Sequence, residues 1–363
     1  MAHSIVSDIF LCYSILMKAK ITIYDIARHA GVSPATVSRA LNHPEVVSLA
    51  TLKKIQDAST ELSFQKRKYA GSQKKQEPLS PAFRPAALQS HPNHHFLISI
   101  PSASNPFYTD IIEGAARAAS NEGCHLFVDY VRITPENLRI SLEAIASLYA
   151  GMIVLEQLSD DLLLLIRSRL PLVQCSNYSS SLPQISSVSI DDENAAYTIT
   201  QYILSHGCRD IAFLAASPES AFFQKRLRGL KMALARESLN IPTERIVYIS
   251  GFEFPLAYDA AVSLLSSGNR PDAVICISDV FAAACVKACH TLGIRIPEDI
   301  LVTGFDDISL AVTTTPSITT IAQPRFQLGF NAMTILLQES RNPQLQARHL
   351  VLPTRLIVRE STE

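Results

Sequence analysis

The 363-residue sequence predicts an all-α head carrying a helix-turn-helix, followed by a larger α/β core of two doubly wound lobes with parallel sheets. Three observations lead there. Capped helical patterns follow one another closely between residues 22 and 64. From Phe96 onward, short continuous apolar runs alternate with amphipathic helical patterns. Charge, finally, is unevenly divided: Lys18 to Lys75 hold eleven Lys or Arg against four Asp or Glu, a balance of +7 in a chain whose total is −1. With the single Asp of residues 1–17, that leaves −7 for residues 76–363. A basic head on an acidic body points to a polyanionic partner for the head.

The head can be read element by element. Thr22 to Asp25 fits a capping box, and ITIYDIARHA follows with Ile23, Ile26, Ala27 and Ala30 on one face. Gly31 stops that helix as a left-handed cap. Ser33 caps a second helix, and Pro34 suits its first turn, where no N–H is needed. The turn is about three residues long, the spacing of a helix-turn-helix. In SPATVSRALN, Val37, Ala40 and Leu41 should pack inward, whereas Ala35, Thr36 and Arg39 face outward. Ser48 caps a third helix, TLKKIQDASTELSF, with Leu52, Ile55 and Leu62 as its buried stripe.

This chemistry suits DNA. A helix fits the major groove with its N-terminal half against base edges; Arg39 can donate two hydrogen bonds to a guanine, and Ala35 can pack on a thymine methyl. Thr36 and Ser38 can donate to phosphates. The expected DNA-facing set is Thr22, Ser33, Pro34, Ala35, Thr36, Ser38, Arg39 and Asn42, with Lys66, Arg67 and Lys68 from the linker. The plainer alternative is a small three-helix bundle whose capped helices merely expose polar residues.

In the core, strand candidates are FLISI (96–100), CHLFVDY (124–130), GMIVLE (151–156) and LVQCS (172–176). DIAFLAA (210–216), VYIS (247–250), AVICIS (273–278) and ILVTGF (300–305) follow. Helical stretches such as YTDIIEGAARAASNEG and VFAAACVKACHTLG lie between them. Continuous apolar strands separated by helices imply parallel sheets covered on both faces, and about ten units exceed one ordinary sheet. Ligands of such folds sit at the carboxyl ends of strands. Candidates there are Asn105, Phe107 and Tyr108 after the first strand, Asp191 and Asp192 after VSI, and Arg226 in QKRLRGL. Phe252, the pair Ser278-Asp279, Asp306 and Gln323 complete the set. Aromatic faces with a few directional polar groups fit a flat, polar small molecule. Each residue also has a duller reading: an Asp after a strand often caps the next helix, as Asp279 or Asp306 could, and Arg226 could be a surface residue.

The segment TIYDIARHAGVSPATVSRALNHPEVVS resembles the DNA-binding domain of the LacI/GalR family of bacterial repressors. The family string D-[IV]-A-x-x-A-x-V-S-x-x-T-V-S-R-x-L-N is met at Asp25, Ile26, Ala27, Ala30, Val32, Ser33, Thr36, Val37, Ser38, Arg39, Leu41 and Asn42. The family's base-reading positions then fall on Pro34, Ala35 and Arg39. The resemblance runs to about Arg359 through N-P-F-Y-x-x-I-I-x-G, R-x-x-G, S-D, G-F-D-D and T-T-I-x-Q-P, the marks of a periplasmic-binding-protein-like core. It implies effector contacts at Phe107, Tyr108, Arg226, Phe252, Asp306 and Gln323; Asp191 and Asp279 join them from the strand-end reading. It also implies a helix-turn-helix domain over 22–66, a linker over 67–95, and a sensor and dimerisation core over 96–363. Lobe 1 would take about 96–190 and 324–350, and lobe 2 about 191–323 and 351–363.

TTIAQPRFQLGFNAM, RIPEDILVTGFDDISL and VSRALNHPEVVS look most like family members that respond to cytidine. That likeness implies a homodimer on double-stranded operator DNA, a pyrimidine nucleoside effector and control of nucleoside uptake and catabolism. It also implies cooperation with the cAMP receptor protein, weakened by the effector. A family repressor answering to a purine or sugar, one with no effector, and a solute-binding sensor without DNA function are the alternatives.

The linker departs from the family. Most members carry Tyr-x-Pro-Asn-x-x-Ala-Arg-x-Leu there, a hinge helix whose Leu wedges into the minor groove. Here only Phe64 and Ala70 keep that pattern; Lys66, Arg67 and Gly71 replace its Pro, Asn and Arg, and Gln73 stands at the Leu. FQKRKYAGSQKKQ therefore reads as a phosphate-directed tether giving salt-dependent binding and tolerance of half-site spacing.

Several classes find no support. No Gly-x-Ser-x-Gly elbow, P-loop, His-Glu-x-x-His or Gly-x-Gly-x-x-Gly occurs, so neither catalytic residues nor a cofactor are expected. Seven scattered cysteines in an odd count read as reduced thiols of a cytoplasmic, nucleoid-associated protein. Cys285, Cys289 and His290 come nearest to a metal cluster, but Cys at i and i+4 on an Ala-rich helix reads as core packing. SIVSDIFLCYSILM is too short to span a bilayer and lacks a basic start and a cleavage site, so no membrane partner is expected. Translation is expected to begin at Met17, with residues 1–16 a non-native or disordered extension.

Overall fold

In the computed structural model the described residues are 23–42, 47–61 and 94–363. The expectations attached to residues 1–16, Met17, Thr22, Leu62, Lys66, Arg67, Lys68 and the linker lie outside them. The chain divides between Arg84 and Pro85 into two units, each described by itself.

The first unit holds helices α1 (Ile23–Ala30), α2 (Pro34–Asn42) and α3 (Leu49–Glu61). Gly31 ends α1 at φ +66°, and the Val32 N–H turns back to donate to the Ala27 carbonyl at 3.0 Å. Ser33 then caps α2, its Oγ accepting the Thr36 N–H at 3.2 Å. Ser48 does the same for α3 through the Thr51 N–H at 3.3 Å, which starts that helix two residues ahead of the expected Thr51. Ile26, Ala27, Val37, Ala40, Ile55 and Ala58 form the small core. At its edge His29 Nε2 lies 2.7 Å from Glu61 Oε2, joining α1 to α3.

The second unit has two sheets. Strands β1 (His95–Ser99), β2 (His125–Asp129), β3 (Met152–Val154), β4 (Leu172–Cys175) and β5 (Ser186–Ile190) join a late strand, β11 (His349–Leu352), in the order β11-β5-β4-β3-β1-β2. All neighbours are parallel; Leu97 stands opposite Phe127 on one side and Met152 on the other. Helices α4 (Phe107–Asn121), α5 (Pro135–Leu148), α6 (Asp160–Arg167) and the late α12 (Arg325–Arg341) serve this lobe.

The second sheet runs β7-β6-β8-β9, again parallel, with β6 (Ile211–Ala215), β7 (Ile246–Tyr248), β8 (Ala273–Cys276) and β9 (Leu301–Thr303). Its helices are α7 (Asp192–Ser205), α8 (Ala221–Arg236), α9 (Phe254–Leu265), α10 (Asp279–Thr291) and the short α11 (Ser309–Thr313). β10 (Thr320–Ala322) pairs antiparallel with β12 (Arg355–Ile357), the one departure from the expected parallel arrangement among the described strands. The departure has a simple cause: the chain crosses between lobes at these two strands, once outward and once back. Because β11 stays on the first sheet through Leu352, the return to lobe 2 falls at residues 353–354, slightly beyond the expected 350.

Two of the motif glycines let helices approach until their backbones touch. A Cβ on Gly114 of α4 would sit 2.0 Å from the Phe326 carbonyl oxygen of α12, and one on Gly229 of α8 would sit 2.0 Å from the Glu193 carbonyl oxygen of α7. These crossings hold α4 and α8, which carry Phe107 and Arg226, against their own lobes. Cys276, Cys285 and Cys289 are buried in the lobe 2 core, while His290 at the helix end is exposed. No described helix is long and apolar enough to cross a membrane.

Candidate functional site

On the head, Arg39 is exposed near the end of α2, and Pro34 occupies the first turn. Ser33 and Thr36 are bound to each other, Oγ to Oγ1 at 2.8 Å, so the cap holds both hydroxyls at the helix start that would meet a phosphate. Ala35, Ser38 and Asn42 lie on the same helix; their side chains are not among those described.

In the core, Phe107, Tyr108, Arg226, Phe252, Asp306 and Gln323 come together around an inner cavity of about 60 Å³ between the lobes. It shares Asn105, Tyr108, Asn177, Phe222 and Phe252 with an outer cleft of about 740 Å³. The sequence explains the lobe 1 wall directly. After β1, the Asn105 carboxamide accepts the Phe107 N–H at 3.0 Å, closing a turn that starts α4 and presents two rings in succession. Those rings meet edge to face with centroids 5.3 Å apart. Phe222 and Phe252 stand 6.0 Å apart as the aromatic part of the lobe 2 wall.

Arg226 is the centre of the polar wall. Its Nε donates to Asp192 Oδ1 at 2.8 Å and its Nη1 to the Ile277 carbonyl at 2.6 Å, while the guanidinium carbon lies 3.4 Å from the Phe305 ring centroid. The pair is almost wholly buried, so its worth lies in fixing the guanidinium rather than in net stability. Asp306, held at φ +114°, accepts the Gln323 Nε2–H at 2.7 Å. Burial pushes its carboxyl up to about 7, against the pull of Arg226 and the Gln323 bond. Burial also raises the Tyr108 phenol, with Asp306 and then Glu156 adding to it. Gln323 Oε1 is buried with no partner among the described residues, an acceptor awaiting a donor.

Two sequence-predicted residues are not part of this wall. Asp191 is exposed and caps α7, accepting the Asn194 N–H at 3.0 Å. Asp279 lies behind the cavity, fully buried, accepting from Thr320 Oγ1 at 2.6 Å and from the Ile308 N–H at 2.8 Å. Its burial, with Asp306 nearby, drives its pKa well up. Gly304 of G-F-D-D is required by that carboxylate, since a Cβ there would lie 2.2 Å from Asp279 Oδ1.

Asp192, the other candidate after VSI, is the buried partner of Arg226, on a helical face shared with Ala195, Ala196 and Ile199. Further members of the site carry weaker signals or none. Phe222 precedes Arg226 by four residues on α8, one turn away on the same side. Ser176, at φ +70°, and Asn177 reach the cavity from the loop after β4, with no signal in the sequence to single them out.

Comparison with known proteins matches residues 22–66 to "Bacterial regulatory proteins, lacI family" and residues 200–362 to "Periplasmic binding protein-like domain". The HTH-type transcriptional repressor CytR of Escherichia coli (strain K12) is 29% identical, over 95% of this chain and 99% of that protein. The ribose operon repressor of the same strain is 30% identical, over 94% and 99%. A solved transcriptional regulator CelR–cellobiose complex superposes with a TM-score of 0.68 at 25% identity, covering 94% of this chain and 99% of that one. A head with helix-turn-helix caps and a two-lobed core with a cleft agree with these matches, so the chain belongs to the LacI family and is a DNA-binding transcriptional repressor, not an enzyme.

Proposed function

We propose that this repressor senses a nucleoside, cytidine foremost, and thereby controls nucleoside uptake and catabolism from the cytoplasm. The observation that carries the reading is the cleft itself: rings on both walls for a flat base, and Asp306 with the unpartnered Gln323 Oε1 as acceptors for sugar hydroxyls. Arg226, fixed by Asp192, supplies the donor beside them.

The repressor works as a homodimer. Phe127, Tyr130, Val131, Ile140 and Leu148 leave an apolar face on β2 and α5, with Ile140 84% exposed, and a second copy would cover it. Two recognition helices, α2 of each copy, then read the half-sites of a two-fold operator. In this reading residues 22–66 are the DNA-binding domain, 67–95 the basic tether and 96–363 the sensor. Effector binds the closed lobes more tightly than the open ones, and closure weakens the hold on operator or on the cAMP receptor protein bound nearby.

The ribose operon repressor among the relatives and the cellobiose in the CelR complex favour a second reading, a sugar effector. Titration of the operator-bound complex with cytidine, uridine, adenosine, hypoxanthine and ribose separates the two. Release by cytidine below the concentration of ribose required supports the nucleoside; release by ribose alone overturns it. Arg39→Ala is expected to lose about 1–3 kcal/mol of binding at one base position in the same assay.

A further inference from the structure

At the outer end of the cleft stands a carboxylate that the repressor's effector site, as described so far, does not use. Glu156 follows β3 in lobe 1 and is only 8% exposed, yet it borders the cleft beside Tyr108. Its Oε1 accepts the Ser99 Oγ–H at 3.1 Å and the Ile133 N–H at 3.3 Å. Oε2 takes no donor among the described residues. Unlike Gln323 Oε1, Oε2 keeps contact with solvent at the cleft, so it is a charged acceptor that still needs a donor from water or from a ligand.

Neighbouring amides do not meet that need. Both ends of the Gln157 amide are engaged, Nε2 with the Glu219 carbonyl and Oε1 with the Ala221 N–H. Asn177 Nδ2 donates to the Leu155 carbonyl at 3.0 Å. The nearby cation, Arg132, is exposed at the rim, where water satisfies it whether or not a ligand is present. These amides are thus engaged with the protein, and Oε2 of Glu156 is left to a ligand. Tyr108 lines both the outer cleft, with Glu156, and the inner cavity, with Asp306, and so joins the two parts of the site.

Resting on the nucleoside reading above, we infer that Glu156 determines specificity: it selects effectors whose base carries an exocyclic amino group, cytosine or adenine, over the keto analogues uracil and hypoxanthine. An exocyclic amino group offers its N–H without a carbonyl beside it. The ring N–H of uracil or hypoxanthine is flanked by carbonyl oxygen, which the carboxylate repels, so each keto base presents like charge to Glu156. A site built to accept one particular N–H discriminates strongly against an analogue lacking it.

The test is calorimetric titration of the full-length protein with cytidine, uridine, adenosine and inosine, repeated for Glu156→Gln. The parent is expected to bind cytidine over uridine, and adenosine over inosine, each by tenfold or more. In Glu156→Gln both ratios should shrink to about threefold or less, because a rotated amide presents either a donor or an acceptor. Equal affinities for the aminated and keto partners in the parent overturn the inference while leaving the nucleoside reading intact. So do ratios that survive the substitution unchanged. Binding of none of the four overturns both. Should the variant not fold, the parent's two ratios decide the matter alone.

Discussion

Lobe 1 furnishes its principal cleft rings from a single turn, whereas lobe 2 assembles its part from scattered strand ends. Phe107 and Tyr108 follow one another where β1 hands over to α4, and the Asn105 carboxamide that shapes the turn is two residues away. Lobe 2 brings Arg226 from α8, Phe252 from the loop before α9, and Asp306 and Gln323 from the ends of two further strands. The lobes share parallel sheets and glycine-mediated helix crossings, so architecture does not explain the contrast. Chemistry does. Rings need only be presented, while a buried cation and carboxylates must compensate one another, and that requires partners from different segments. Lobe 2 is thus the half in which a single substitution should reach furthest.

The largest expected effect tests that dependence. Arg226→Met leaves Asp192 buried without its cation, and about 3–5 kcal/mol of stability should be lost in urea unfolding. Adding Asp192→Asn should restore most of it while effector response stays absent. A single variant as stable as the parent would show that lobe 2 does not rely on the pair.

A middle-sized effect is expected with pH. The Asp306 carboxyl rises from its ordinary 3.8 to about 7, so between those values the folded protein holds a proton that the unfolded chain releases. Stability of the effector-free protein should therefore fall as pH rises from about 4 to 7, through this group's contribution. Asp306→Asn should flatten that fall, leaving the share of Asp279, which burial also raises. Unfolding at pH 4.5, 6 and 7.5 checks it, and parallel curves for parent and variant would refute the assignment.

The smallest concerns the bridge between the two halves. Gln157 of lobe 1 donates to the Glu219 carbonyl at 3.2 Å and accepts the Ala221 N–H at 2.7 Å, both on lobe 2. The side chain is exposed, so Gln157→Ala should weaken effector binding by about 1 kcal/mol with little change in melting. An effect above tenfold would make this contact a principal latch.

Much of the site was legible because its elements are local. The head is a succession of caps, Gly31, Ser33 and Ser48, each acting on residues within one turn. N-P-F-Y and R-x-x-G announce ring presentation and a helix crossing in consecutive letters. The aspartates were not legible in this way. Asp191, Asp279 and Asp306 all follow strands, and a carboxylate that caps a helix looks the same in one dimension as one that faces a ligand. Asp191 turned to its own helix, Asp279 was taken by Thr320 and the Ile308 N–H from distant segments, and Asp306 alone was left on the cavity.

By itself, then, the sequence determined the capped three-helix head, the alternation that makes parallel sheets, and the rings at the end of β1, since each rests on residues close in the chain. Tertiary structure alone decided the strand order, the return of β11 to the first sheet, the pairing of Asp192 with Arg226 and the exposure of Glu156 to the cleft. Strand order and the return of β11 depend on backbone pairing between distant segments, and the carboxylate partnerships on which distant donors and cations reach them first. Burial makes that competition decisive, because an unmet charge inside the protein is too costly to leave.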